Sequence, residues 1–130
     1  MLRAMNVVPP LNRSESEVRI HIVEDDYGVR DALIELVSGQ GHPVLAYADG
    51  EAFINGCSPC GRDLVFVDLG LPGIGGVDVI RWLNELPEPP RVVAITGRPR
   101  IDIDLMMRRL PDNLQVLRKP LAPEAISSLL

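Results

Sequence analysis

The sequence predicts an α/β fold: an open parallel sheet with helices on both faces, three layers in all. Short strand-like runs alternate with helix-like stretches five times along the chain. The runs LVFVD (64–68) and RVVAIT (91–96) are almost continuously apolar, as strands covered on both faces are. The chain has 130 residues, 46% of them hydrophobic and only 4% aromatic, which allows one domain with an aliphatic core.

Residues 1–17 carry Pro9, Pro10, Asn12, Ser14 and Ser16 and read as a flexible N-terminal arm, in which LRAMNVV could form a short turn or strand. The domain is expected over 18–130. VRIHIV (18–23) is the first strand, rich in β-branched residues, and runs into Glu24, Asp25 and Asp26. VRDALIELVSGQG follows as an amphipathic helix, with Val29, Leu33, Leu36 and Val37 on one face and Gly39 and Gly41 as the stop. PVLAYA is the second strand, and DGEAFING a short helix with Asp49 as N-cap. After LVFVD, GGVDVIRWLNEL is a helix that turns Val77, Ile80 and Leu83 inward and ends at the PEPP run. RVVAIT leads to a helix around IDIDLMMRRL, broken by Pro111. QVLRK is the fifth strand and APEAISSLL the last helix.

Bulk properties narrow the function. A net charge of −5 with few aromatics argues against a nucleic-acid binder, basic or base-stacking. No window holds 18 consecutive apolar residues, so no membrane span is expected. The first 17 residues lack the apolar stretch and cleavage site of a signal peptide, so cytoplasmic residence is expected. Cys57 and Cys60 form a C-x-x-C pair that follows a helix and lies in a Ser-Pro-Gly loop. Redox pairs usually precede a helix, and only His21 and His42 could complete a metal site, so the two read as solvent-exposed loop thiols. His21, inside an apolar strand, reads as a hydrogen-bonded core residue, and His42 as a loop residue without chemistry.

Ligand sites of open parallel sheets lie beyond the carboxyl ends of the strands. There the sequence gathers Glu24 and Asp25 after strand one, Asp68 ending strand three, Thr96 and Gly97 ending strand four, and Lys119 and Pro120 ending strand five. Three carboxylates in one crevice repel one another and call for a counter-charge. Mg²⁺ answers that demand: it takes one or two carboxylates, keeps several waters and shares phosphate oxygens. Lys119 adds a point charge suited to a phosphoryl oxygen and Thr96 a donor, which leaves Asp68 as a candidate nucleophile. Asp26 reads as surface or as the cap of the first helix.

On the motifs IVEDD, VDLGLPG, AITG and LRKP, each at a strand end and in this order, the stretch from about Val18 to Leu130 resembles the receiver domain of two-component response regulators. The resemblance implies a (βα)5 flavodoxin-like sandwich with strand order 2-1-3-4-5. It implies that Asp68 accepts a phosphoryl group from a sensor histidine kinase or histidine phosphotransfer protein. It implies Mg²⁺ bound by Asp25, Asp68 and the Gly70 carbonyl, with Glu24 acting mainly through water. Leu69, Thr96, Gly97 and Lys119 would serve the phosphoryl and switch site, and a cis bond before Pro120 would aim Lys119 inward. The chain would then be a signalling module that assists its own phosphorylation and dephosphorylation rather than an enzyme. It would bind a downstream protein or a second copy through the helix 4, strand 5 and helix 5 face. Arg98, Arg100, Arg108, Arg109 and Arg118 lie in that region among Asp102, Asp104 and Asp112, and Met106, Met107, Leu105 and Leu110 are either core or partner surface.

Two departures stand out. The aromatic residue by which such domains read out phosphorylation, three positions before the lysine, is Val116 here, so a different rearrangement of helix 4 and strand 5 is needed. The positions two after Asp68 and two after Thr96, which flank the site, are Gly70 and Arg98. Rival readings are a receiver-like scaffold that is not phosphorylated, an aspartate-nucleophile phosphohydrolase of the haloacid dehalogenase type, and a flavodoxin-like cofactor binder. The phosphohydrolase would need a second Asp where Gly70 stands. The cofactor binder would need a phosphate loop where Glu24, Asp25 and Asp26 stand.

Overall fold

The computed structural model describes residues 17–130. The arm expected over 1–17, with its LRAMNVV turn or strand, lies outside the described residues except for Glu17. The elements are β1 (Ile20–Val23), α1 (Tyr27–Ser38), β2 (Val44–Tyr47), α2 (Gly50–Gly56), β3 (Leu64–Asp68), α3 (Gly76–Asn84), β4 (Arg91–Thr96), α4 (Arg100–Met107), β5 (Gln115–Arg118) and α5 (Pro123–Ser127). All strand pairs are parallel, in the order β2-β1-β3-β4-β5. Ile20 stands opposite both Val44 and Leu64, and Leu64 opposite Arg91, so the carboxyl ends gather along one edge.

Strand alternation sorts the core into two layers. Val23, Val65, Val67 and Ala94 pack with Phe53 of α2, with Val77, Ile80 and Leu83 of α3 and with Ile103 of α4. Ile20, Ile22, Leu64, Phe66, Val93 and Ile95 face the other way, onto Leu33 and Val37 of α1 and Ile126 of α5. Every residue of β1 and β3 is buried. Each large apolar side chain so placed contributes roughly 1.5–3 kcal/mol. That rigid centre holds the ends of β1 and β3 side by side.

Helix boundaries differ from the sequence expectation for local reasons. α1 starts at Tyr27, two residues early, because Asp26 caps it: its carboxylate accepts from the Val29 amide at 3.0 Å. Such a cap contributes about 1 kcal/mol. Asp49 caps α2 as expected, accepting from the Ala52 amide at 2.7 Å. α4 ends at Met107 rather than Leu110; the Arg109 and Leu110 amides turn back to the carbonyls of Met106 and Met107. α5 is only five residues, with Pro123 in its first turn, where the missing amide costs nothing.

Candidate functional site

The carboxyl edge brings together the residues that the sequence placed there. Glu24 and Thr96 have no exposed surface, and Asp68 is 4% exposed. Asp25 is exposed, yet one ligand oxygen from each of Glu24, Asp25 and Asp68 lies within 4.8 Å of the others. Lys119 Nζ sits 2.9 Å from Glu24 Oε1 and 3.3 Å from Asp68 Oδ2. The Lys119–Pro120 peptide is cis.

Each group is held by backbone. The Asp26 amide donates to Glu24 Oε2 at 3.1 Å, and the Gly70 amide donates to Asp68 Oδ1 at 2.9 Å. The Leu69 amide bonds the Ile95 carbonyl at 2.8 Å, which extends the β3–β4 ladder one residue past Asp68 and buries Leu69. The Lys119 amide bonds the Thr96 carbonyl at 2.8 Å, and Gly97 lies beside the lysine stem: a Cβ there would meet Lys119 Cδ at 3.5 Å, ordinary contact. Thr96 Oγ1 accepts from the Arg98 amide at 3.0 Å. Its hydroxyl hydrogen therefore remains available to donate.

Gly76 is a steric requirement. A Cβ there would lie 2.2 Å from the Asp68 carbonyl oxygen and 2.7 Å from Leu69 Cα, so only glycine lets α3 start against the end of β3. Gly73, at φ +68°, turns the loop in between, and Glu51 of α2 accepts from the Ile74 amide at 3.3 Å. Over Gly70 lies Arg98, with its Nε 3.5 Å from where a Cβ would be. Alanine would fit there at ordinary contact; a longer side chain would meet the guanidinium.

The electrostatics are strained. Burial, and then the hydrogen bond with Asp68, push Glu24 up to about 7. Burial acts on Asp68 in the same direction, but the Glu24 hydrogen bond, the Gly70 amide and Lys119 outweigh it and hold Asp68 below its usual range. Burial would lower Lys119, but its contacts with Glu24 and Asp68 raise it. A proton shared by the pair is thus favoured on Glu24 over Asp68. Glu24 Oε1, although near Lys119, has no hydrogen bond of good geometry. A buried carboxylate oxygen left in this state, facing two more carboxylates, fits a hard divalent cation.

Two supporting residues gave no signal in the sequence. Arg30 of α1 donates to the Glu24 carbonyl at 2.8 Å and the Asp25 carbonyl at 3.4 Å, pinning the acidic turn. Asp63, just before β3, is 1% exposed at the opposite edge of the sheet. It accepts from the Arg19 amide at 3.2 Å and the Cys60 amide at 3.1 Å, and its Oδ2 lies 2.8 Å from His21 Nε2. His21 is a buried, hydrogen-bonded core residue, as expected. The cysteines depart from expectation. Both are reduced and half-buried, with Cys57 Sγ 3.4 Å from His21 Nδ1. The loop is not simply exposed, because it docks on β1.

Comparison with known proteins agrees with this geometry. The family model for the response regulator receiver domain matches residues 20–130. The chain is 27% identical to the transcriptional regulatory protein FixJ of Azorhizobium caulinodans, over 82% of this chain and 50% of FixJ. It is 28% identical to the sporulation initiation phosphotransferase F of Bacillus subtilis, over 65% of this chain and 68% of that protein. It spans about half the length of the first and about two thirds of the second. A CheY-like receiver domain structure from Methanospirillum hungatei shares the fold at a TM-score of 0.72 and 21% identity, covering 88% of this chain and 90% of that one. The chain belongs to the response regulator receiver domain family.

Proposed function

We propose that this receiver domain is a phosphorylatable switch in a two-component phosphorelay and that Asp68 is its phosphoacceptor. One observation carries the reading: Asp68 is a buried carboxylate fixed at the end of a rigid strand, 3.3 Å from Lys119 Nζ and within 4.8 Å of ligand oxygens of Glu24 and Asp25. A nucleophile needs such fixed placement. The names of relatives, a phosphotransferase and a transcriptional regulator, support the assignment.

An Asp68 oxygen attacks the phosphorus of a phosphohistidine in the partner kinase or phosphotransfer protein. The new P–O bond forms as the P–N bond breaks, and the nitrogen keeps the electron pair. Lys119 and the Thr96 hydroxyl donate to the phosphoryl oxygens. Asp25, Asp68 and the Gly70 carbonyl would hold Mg²⁺, with Glu24 contributing through water. When bound, Mg²⁺ neutralises charge on the transferring group. Attack by water on the acyl phosphate resets the switch, and in both directions the chain assists its own chemistry rather than turning over a separate substrate.

The readout goes through the α4–β5–α5 face toward a protein partner or a second copy. Ile101 and Leu105, four apart on α4, are 71% and 56% exposed. Val116, paired with Ala94 and half-buried, has no ring to turn, so repositioning of α4 carries the signal. No helix among the described residues is long and apolar enough to cross a membrane. We place the domain in the cytoplasm, where its kinase partners phosphorylate.

The test is intact mass after incubation with acetyl phosphate. One phosphoryl adduct is expected with Mg²⁺, and none without it or in Asp68→Asn. Absence of an adduct from both acetyl phosphate and a phosphohistidine donor would favour the unphosphorylated scaffold.

A further inference from the structure

At the edge of the sheet opposite Asp68, the geometry points to a second reactive site: Cys57 is a nucleophilic thiol whose base is His21, held by Asp63, and Cys60 is its resolving thiol. This goes beyond the phosphoacceptor and uses none of its residues.

The three groups form a line from Cys57 Sγ through His21 Nδ1 at 3.4 Å to Nε2 and Asp63 Oδ2 at 2.8 Å. A carboxylate facing Nε2 keeps the ring proton there, because a proton is what that contact requires. Nδ1 is then a lone pair aimed at the sulfur. Both partners are buried, His21 at 1% and Asp63 at 1% exposure, and the Arg19 and Cys60 amides fix the carboxylate. Phe53 packs edge-on against the imidazole, 6.1 Å between ring centres, and edge-on against Tyr47 at 5.3 Å. Tyr47 keeps its proton well above the usual range, first through burial and then through the charge of Cys57 and a hydrogen bond with it. Its phenol therefore serves the sulfur as a second polar partner. Three residues on, Cys60 places its own sulfur 3.7 Å from Asp63 Oδ1.

The thiolate is the reactive form of cysteine. His21 Nδ1 takes the Cys57 proton, and the sulfur attacks one oxygen of hydrogen peroxide. The O–O bond breaks, and the departing hydroxide takes the proton back from His21 to leave as water. Cys57 is now a sulfenic acid, oxidised by two electrons as the peroxide is reduced. The Cys60 sulfur then attacks Cys57, its proton leaves with the displaced hydroxide as a second water, and a disulfide closes the loop. Two thiols and one peroxide give one disulfide and two waters.

The unaltered chain supplies the first tests. In competition for iodoacetamide, Cys57 should react about tenfold faster than Cys60, although both are half-buried. Equal rates, or Cys60 first, would overturn the proposal. Imidazole nitrogen shifts should place the His21 proton on Nε2, and a proton on Nδ1 would overturn the role of Asp63. One equivalent of peroxide should remove two hydrogens from the peptide bearing both cysteines. In Cys60→Ser, dimedone should instead trap a sulfenic acid on Cys57. Peroxide that leaves Cys57 unmodified in both proteins contradicts the site. His21→Gln, checked for folding by circular dichroism, should bring the Cys57 rate down to that of Cys60; an unchanged rate would also contradict it.

Discussion

β3 carries a buried aspartate at each end, and the two live in opposite conditions. Asp63 precedes the strand and Asp68 closes it, about 16 Å apart along an extended chain. Both are nearly inaccessible, at 1% and 4% exposure. Asp63 meets donors: two backbone amides and an imidazole nitrogen. Asp68 meets one amide, a lysine, and a second buried carboxyl whose proton it helps retain. The difference separates two uses of one residue type. A carboxylate surrounded by donors is committed to holding its neighbours in place. A carboxylate crowded by its own kind retains capacity for a cation and a phosphoryl group, and the surrounding structure bears the cost of keeping it so.

Neutralising each end in turn separates the two roles. Asp63→Asn turns an amide group toward donors that need an acceptor, and should cost about 3 kcal/mol in denaturant unfolding. Asp68→Asn keeps an acceptor for the Gly70 amide but loses the charge that faces Lys119, and should cost only about 1 kcal/mol while abolishing the phosphoryl adduct. Equal losses of stability would erase the distinction.

How much of this the sequence disclosed follows the same division. The alternation of elements, the parallel sheet and the gathering of Glu24, Asp25, Asp68, Thr96 and Lys119 were legible, because strand ends in such a sheet share an edge. The helix ends were less so. Leu110 was read as the end of the helical run IDIDLMMRRL, but it is buried from the turn after α4. Asp63 gave no signal and Cys57 was read as exposed for one reason: their environment comes from His21, 42 and 36 residues earlier in the chain. A lone aspartate and a cysteine in a Ser-Pro-Gly loop look solvated until β1 is placed beneath them. Arg98 was legible only as a residue flanking the site, and its position over Gly70 follows from the turn that its amide makes with Thr96.

A smaller loss is expected where backbone rather than charge sustains the Asp68 end. Gly76→Ala puts a methyl group 2.2 Å from the Asp68 carbonyl oxygen, so α3 must retreat. Thermal unfolding should register about 2 kcal/mol, and the adduct should form more slowly because the strand end is displaced. An unaffected labelling rate would show that the placement of α3 does not matter to Asp68.

The last effect is the dependence on pH. Glu24 is raised from 4.5 to about 7 in the fold, so between those values the folded chain holds a proton that the unfolded chain has released. Its contribution is therefore greatest below about 4.5 and declines as pH rises through about 7. Asp68, shifted the other way, contributes stability that is lost only below the usual carboxylate range and leaves this window alone. Without divalent cations, Tm should fall by roughly 10 °C from pH 5 to 8, equivalent to about 2–3 kcal/mol. Saturating Mg²⁺ should displace the Glu24 proton and remove most of that slope. A rising Tm over the same range without metal would reverse the assignment of the shared proton.

The claim that Asp68 is the reactive carboxylate is tested most directly by locating the acyl phosphate. Borohydride reduces an aspartyl phosphate to homoserine, and peptide mass spectrometry reads its position. After treatment with acetyl phosphate and Mg²⁺, homoserine should appear at position 68 and at no other aspartate. Homoserine at Asp25, Asp26 or Asp63, or labelling that persists in Asp68→Asn, would contradict the account.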